Sequence, residues 1–200
     1  MSKERFEAFS DGVFAFAITL LVLGIVLPTF KNPPSDHQVR IALLRLWPNV
    51  VAYALSFSVI GIMWQNHHAI FRLVDRVDRK TVALNLMLLA GTVFIPFATS
   101  TLGAYPTMHS STFLYGVVLT YTATIYNLML AYLIRKRAFL PSITPQVLGA
   151  TVVAYRVGWA TYALSTLLAL WLPLASFAAY VLIAVYYLVP RGVDDDIAAA

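Results

Sequence analysis

Apolar residues in this chain run in blocks of about 20, and most charges are confined to the short stretches between the blocks. A helix of about 20 apolar residues covers the hydrocarbon core of a bilayer. Six such blocks are read, at 6–27, 49–71, 82–102, 111–134, 148–171 and 173–189. Within a bilayer the backbone must satisfy its own hydrogen bonds, which a helix does inside one segment. The pattern therefore predicts an all-α membrane protein, a single six-helix transmembrane domain over residues 1–200. Composition agrees, with 60% hydrophobic and 12% charged residues, where a soluble domain carries about 25% charge.

Prolines punctuate the blocks. Pro28 ends the first, Pro173 separates the fifth from the sixth, and Pro96 falls inside the third and should kink it. Between the first two blocks, Pro33 and Pro34 break the chain, and Ser35 and Asp36 are placed to cap a short helix over 38–47. Its polar Gln38, Arg40 and Arg45 alternate with Ile41, Leu44 and Trp47, the pattern of a helix lying in the membrane interface. A cleaved signal peptide is not expected: Glu4 and Glu7 precede the first block, its apolar run is too long, and no small-residue cleavage site follows.

Lysine and arginine set the orientation. Ten lie on one side: Lys3 and Arg5, Arg72 to Lys80, Arg135 to Arg137, and Arg191. Three lie on the other: Lys31, Arg40 and Arg45. Both termini are thus expected in the cytoplasm, in the plasma membrane, with the acidic Asp194–Asp196 run as a solvated end. The net charge of +5 belongs to these loops, and no basic surface helix is present to bind nucleic acid. The chain has no cysteine, so disulfides and thiolate metal sites are excluded.

With this topology, Arg5, Ser10, Asp11, Asn66, His67, His68 and Asn85 share one cytoplasmic layer. Polar groups at membrane depth need partners inside the protein. The expected arrangement is a brace that fixes the first helix against the second and third, with Asp11 paired to Arg5 or a histidine; a proton relay through Asp11 and His67 or His68 is the alternative. A metal is not expected, because adjacent histidines on a helix point apart and no third ligand accompanies them. Arg156 is the other intramembrane charge, placed to snorkel to the cytoplasmic face or to pair across a helix contact.

At about 100° per residue, Phe9, Val13, Phe16, Leu20, Leu23 and Leu27 form one stripe on the first helix, and Asp11 lies roughly 150° from its centre. Helix packing or lipid contact is the ordinary explanation for such a stripe. Gly12, Ala15 and Thr19 beside it allow close helix approach. Thr19 either bonds a carbonyl one turn back or offers oxygen to a cation.

The run "RFEAFSD" fits R-x-x-x-F-S-D, and "FSDGVFAFAITLLVL" resembles the opening helix of the transmembrane protein 175 family of potassium channels. "MWQNHHAIF" is similar to the end of that family's second helix, and "LNLMLLAGTVFIPFATSTLG" to its third; the similarity covers residues 5–102. The resemblance implies a homotetramer of six-span subunits whose first helices line a central pore. It implies rings of apolar side chains at Phe16, Leu20 and Leu23 in place of a carbonyl filter, a pore-side hydroxyl at Thr19, and Leu27 beyond them. It also implies a packing network of Arg5, Phe9, Ser10, Asp11, Trp64, His67, His68 and Asn85. Phe16 stands where the family usually has Ile or Leu, making a bulkier, more polarisable ring.

The function expected is a potassium channel with modest selectivity over sodium, gated by a hydrophobic constriction. Potassium is the permeant ion and no cofactor is expected; the partners are further copies of the chain and the bilayer. The alternative is a proton-coupled secondary transporter or proton pathway using Asp11 and His67 or His68. An enzyme is not expected, since the spans hold no paired carboxylates, nucleophile–base pair or metal triad.

Overall fold

A computed structural model describes residues 2–188; Arg191, the Asp194–Asp196 run and the last residue of the sixth block lie outside the described residues. Among the described residues the elements are helices α1 (Lys3–Leu20), α2 (Asp36–Arg45), α3 (Trp47–Leu73), α4 (Arg79–Ala104), α5 (His109–Arg135), α6 (Pro145–Leu168) and α7 (Pro173–Leu188), with a 3-10 turn at Leu21–Gly24.

Local chemistry explains most boundaries. Ser2 caps α1 by accepting from the Arg5 amide. Ser35 and Gln38 form a reciprocal capping box at the start of α2, which therefore begins two residues before the expected 38. Trp47 is not in this helix: it opens α3, with Pro48 in the first turn where its missing N–H costs nothing. Asp78 caps α4, accepting from the Thr81 amide and hydroxyl, both at 2.8 Å. Pro96 lies inside α4, whose helix continues through it.

The first helix departs from its expected 6–27 extent. It is α-helical only to Leu20, tightens into the 3-10 turn, and is extended by Ile25. Pro28 disfavours helical backbone in the residue before it, and the turn brings Gly24 against α4, where an added Cβ would lie 3.1 Å from Ser100 Cβ. The fifth block likewise ends at Leu168 rather than 171.

Helix α4 is central, packing on α1, α3 and α5; α6 covers α5, and α7 returns to α3 and α5. Buried polar side chains in the core are paired, among them a set of hydroxyls. Thr99 Oγ1 donates to Ser56 Oγ at 2.7 Å, and Ser56 bonds Tyr115 Oη at 3.0 Å, linking α4, α3 and α5.

Four helical stretches are long and apolar enough to cross a membrane: Lys3–Gly24, Trp47–Leu73, Arg79–Ala104 and His109–Arg135. The chain is a multi-pass membrane protein. Helix α6 has the length, but carries Arg156. Helix α7 has 16 residues, about 24 Å at 1.5 Å per residue.

The basic loops meet at one end. Asp75 N donates to Ala138 O and Leu140 N to Leu73 O, each at 2.9 Å, strapping the α3–α4 connection to the α5–α6 connection. Lys3 Nζ donates to Val74 O at 2.7 Å and ties the start of α1 to the same strap.

Candidate functional site: the first helix and its brace

Helix α1 has two unlike faces. Phe6, Ser10, Phe14 and Ala17, continued by Leu21, follow the i, i+4, i+3 rhythm of one helical stripe and are buried against α3 and α4. On the other side Phe9, Gly12, Ala15, Phe16, Thr19 and Leu23 are exposed, Phe16 at 60% and Leu23 at 68%. Val13 and Leu20 are half-buried between the two faces. Leu27 is exposed but lies past the helical turn, so it does not share the helical register of the stripe. Thr19 Oγ1 donates to Phe16 O at 2.7 Å, the bond one turn back. Its hydrogen is thereby committed and its lone pairs stay on the exposed side.

The buried face holds a directed chain of hydrogen bonds. Ser10 Oγ donates to Phe6 O at 2.9 Å. Ser10 therefore accepts from Asn85 Nδ2, also at 2.9 Å. That fixes the amide, so Asn85 Oδ1 accepts from His67 Nε2–H at 2.9 Å. The chain crosses from α3 through α4 to α1 and ends on backbone. No buried side-chain polar atom among the described residues is left without a partner. The His67 ring is held among Phe6, Phe14 and Phe71, with centroid distances of 6.0, 5.5 and 4.6 Å. The two phenylalanines of α1 in this cage sit at i and i+8, on the same face as Ser10, a signal that a helical wheel contains.

Asp11 is held differently from expectation. Its partner is neither Arg5 nor a histidine but the Trp64 indole, whose Nε1 donates to Oδ1 at 2.9 Å. Arg5 is exposed and makes no ion pair among the described residues; Lys3 and Glu7 approach each other instead, at 3.9 Å. The cause is register: Arg5 lies about 120° from Asp11 around the helix. His68 is exposed and stacks beside Trp64, with ring centroids 6.2 Å apart, while His67 faces inward. Phe9 points to the exposed side, away from the brace. Arg156 is exposed on α6 and also lacks an ion pair among the described residues. No group of three or more His, Cys, Asp or Glu is arranged to hold a metal ion among the described residues.

What sequence reasoning missed is the Lys3–Val74 bond, because a lysine donating to a loop carbonyl leaves no pattern in the chain.

Residues 5–96 match the family described as the endosomal/lysosomal potassium channel TMEM175. A potassium channel of Streptomyces collinus is 38% identical over 188 residues, covering 92% of this chain and 90% of that protein. The human endosomal/lysosomal proton channel TMEM175 is 37% identical over 111 residues, which is 52% of this chain but 22% of the human protein. A crystal structure of a lysosomal potassium-selective channel TMEM175 homolog from Chamaesiphon minutus superposes with a TM-score of 0.82 at 33% identity, over 93% of this chain and 96% of that one.

Proposed function

The chain belongs to the TMEM175 family of ion channels, which are not enzymes, and on that premise we propose that it forms a potassium-selective channel with modest preference over sodium. In this reading four copies assemble, each with six spans. The exposed face of α1 lines the pore, and both termini are cytoplasmic in the plasma membrane.

The observation that carries the proposal is the exposed face itself. From Gly12 to Phe30 the chain has no charged residue, yet Phe16, Thr19 and Leu23 are left uncovered by their own subunit. An apolar constriction resists wetting, so a passing ion must shed water and receives little in return. Potassium loses its water more easily than sodium, which gives a preference without strong ligands. Thr19 lone pairs partly replace the lost hydration. Phe16 adds an aromatic face at the first ring, with attraction for a cation of order 0.5–1 kcal/mol.

The test is ion flux in proteoliposomes. Leu20→Ser and Leu23→Ser are expected to raise conductance and lower the potassium-to-sodium ratio. If both variants leave flux and ratio unchanged, the constriction is elsewhere. A coupled transporter using Asp11 and His67 or His68 fits the geometry less well. Asp11 bonds Trp64 while His67 bonds Asn85, and His68 lies outside, so no single hydrogen-bonded path joins them.

A further inference from the structure

We propose that the basic end of the bundle carries a binding site for a phosphate group, between the α3–α4 connection and the end of α5, and that it takes the headgroup phosphate of an anionic lipid. A cavity of about 380 Å³ opens there, lined by Asp75, Arg76, Asp78, Tyr132, Lys136 and Arg137. Its walls are fixed to each other by the backbone bonds from Asp75 to Ala138 and from Leu140 to Leu73.

The two carboxylates are already engaged. Asp75 Oδ2 accepts from Arg76 Nε at 3.0 Å. Asp78 accepts from Thr81 and from the Tyr132 hydroxyl. Among the described residues no carboxylate lies within ion-pair distance of Lys136 or Arg137; Asp78 is near enough for its charge to act on Lys136 without pairing with it. Lys136 Nζ stands 5.9 Å from the Tyr132 ring centroid, over one wall of the cavity.

The backbone gives a second, independent sign. Lys136 is the C-cap of α5, and Arg137 follows it at φ 51°, the left-handed position where helices usually place glycine. The turn is closed by Arg137 N to Ile134 O and Ala138 N to Leu133 O, both 3.0 Å. Glycine or asparagine takes this conformation more easily than arginine, so an arginine there fits a use for its guanidinium. A guanidinium meets two phosphate oxygens with parallel N–H bonds, and a neighbouring ammonium adds a compact charge. The cavity lies where α3 and α5 end and α4 begins, at one end of three membrane-length helices, where the headgroup layer of a bilayer around them would stand. The proposal does not depend on which ion the protein conducts.

The test uses the full chain in mild detergent. Native mass spectrometry and thermal melting follow added phosphatidylglycerol, phosphatidylcholine and inorganic phosphate, for wild type, Lys136→Gln/Arg137→Asn, and Arg40→Gln as a control among the three cations of the 1–2 connection. Asparagine is chosen because it tolerates the left-handed position. Phosphatidylglycerol is expected to bind and raise the melting temperature more than phosphatidylcholine. The double variant should lose about ten-fold or more in affinity, while Arg40→Gln should not. If inorganic phosphate gives the same variant-sensitive shift, the site stands and its source is free phosphate. Equal binding of both lipids, or undiminished phosphatidylglycerol binding by the double variant, overturns the proposal. Should the double variant melt early without lipid, Lys136→Gln alone, which leaves the turn intact, decides by the same criteria.

Discussion

The Trp64 indole donates to the Asp11 carboxylate at 2.9 Å, joining α3 to α1 across the bundle. Both side chains stay partly open to their surroundings in the single subunit, Trp64 at 41%, so the bond is worth about 1 kcal/mol rather than several. Trp64→Phe keeps an aromatic ring and removes the donor. It is expected to lower the melting temperature in detergent slightly. Asp11→Asn keeps an acceptor and should cost less still. If Asp11 braces the helix, Asp11→Asn retains potassium flux without altered proton movement, which a pH-sensitive dye in the same vesicles reports; loss of a proton-coupled component would revive the transporter reading.

The His67–Asn85–Ser10 chain is deeper and less forgiving. Asn85 is 1% exposed, Ser10 is fully buried and His67 is 1% exposed, so each group left unpaired carries its full desolvation cost. Asn85→Leu strands the His67 donor and removes the bond to Ser10. The expected loss is about 2–4 kcal/mol at about 1–3 per stranded group, read as early melting or failure to purify. Asn85→Gln, which keeps both functions at a shifted position, should lose less. A melting temperature for Asn85→Leu equal to wild type would show that water enters the network.

Helix limits were legible where residue chemistry sets them, as at the Ser35 cap of α2 and the prolines at 48 and 173. The layer of polar residues was legible too, since topology alone brings Ser10, His67 and Asn85 to one depth. Their pairing was not. Depth does not fix direction: the residues alone pointed Asp11 at Arg5 or a histidine, and only the family resemblance put Trp64, its partner, in the same network. The end of α1 was hidden for another reason: Leu21 to Leu27 are as apolar as the helix before them, and the extended path depends on contact with α4.

At the basic end, Asp78 supplies a pH dependence with a definite sign. The hydrogen bond from Tyr132 first, and then the bond from the Thr81 amide, hold its carboxyl down at about 2 from an ordinary 3.8. A folded-state value below the unfolded one adds stability that is present above about pH 4 and is lost as pH falls toward 2. Tyr132→Phe removes the largest cause and should flatten this part of the stability profile. Asp78→Asn should flatten it further. Because Asp78 is exposed, the effect is small and is best read as the difference between melting curves at pH 5 and pH 3. Identical differences for wild type and Tyr132→Phe would count against the Tyr132 contribution.

Two glycines distinguish packing inside the chain from the proposed assembly of four copies. At Gly116 a Cβ would lie 2.0 Å from the Tyr180 hydroxyl and 2.4 Å from Thr166 Oγ1, at the junction of α5, α6 and α7. Gly116→Ala must push these elements apart, and a loss of about 1–3 kcal/mol is expected, the usual range for an overpacked core. At Gly12 a Cβ meets nothing within 4 Å. Alanine at a free helical position should stabilise the single subunit by about 0.5–1 kcal/mol. Tryptophan at position 12 would be tolerated there as well. If four copies of α1 converge on an axis, the same space is filled by neighbours, and Gly12→Trp should break the assembly or abolish potassium flux while leaving the subunit folded. Light scattering on purified protein reads the assembly and flux reads the pore. A tetramer with undiminished flux carrying tryptophan at position 12 would mean that this face of α1 meets lipid, and that the pore lies on another helix.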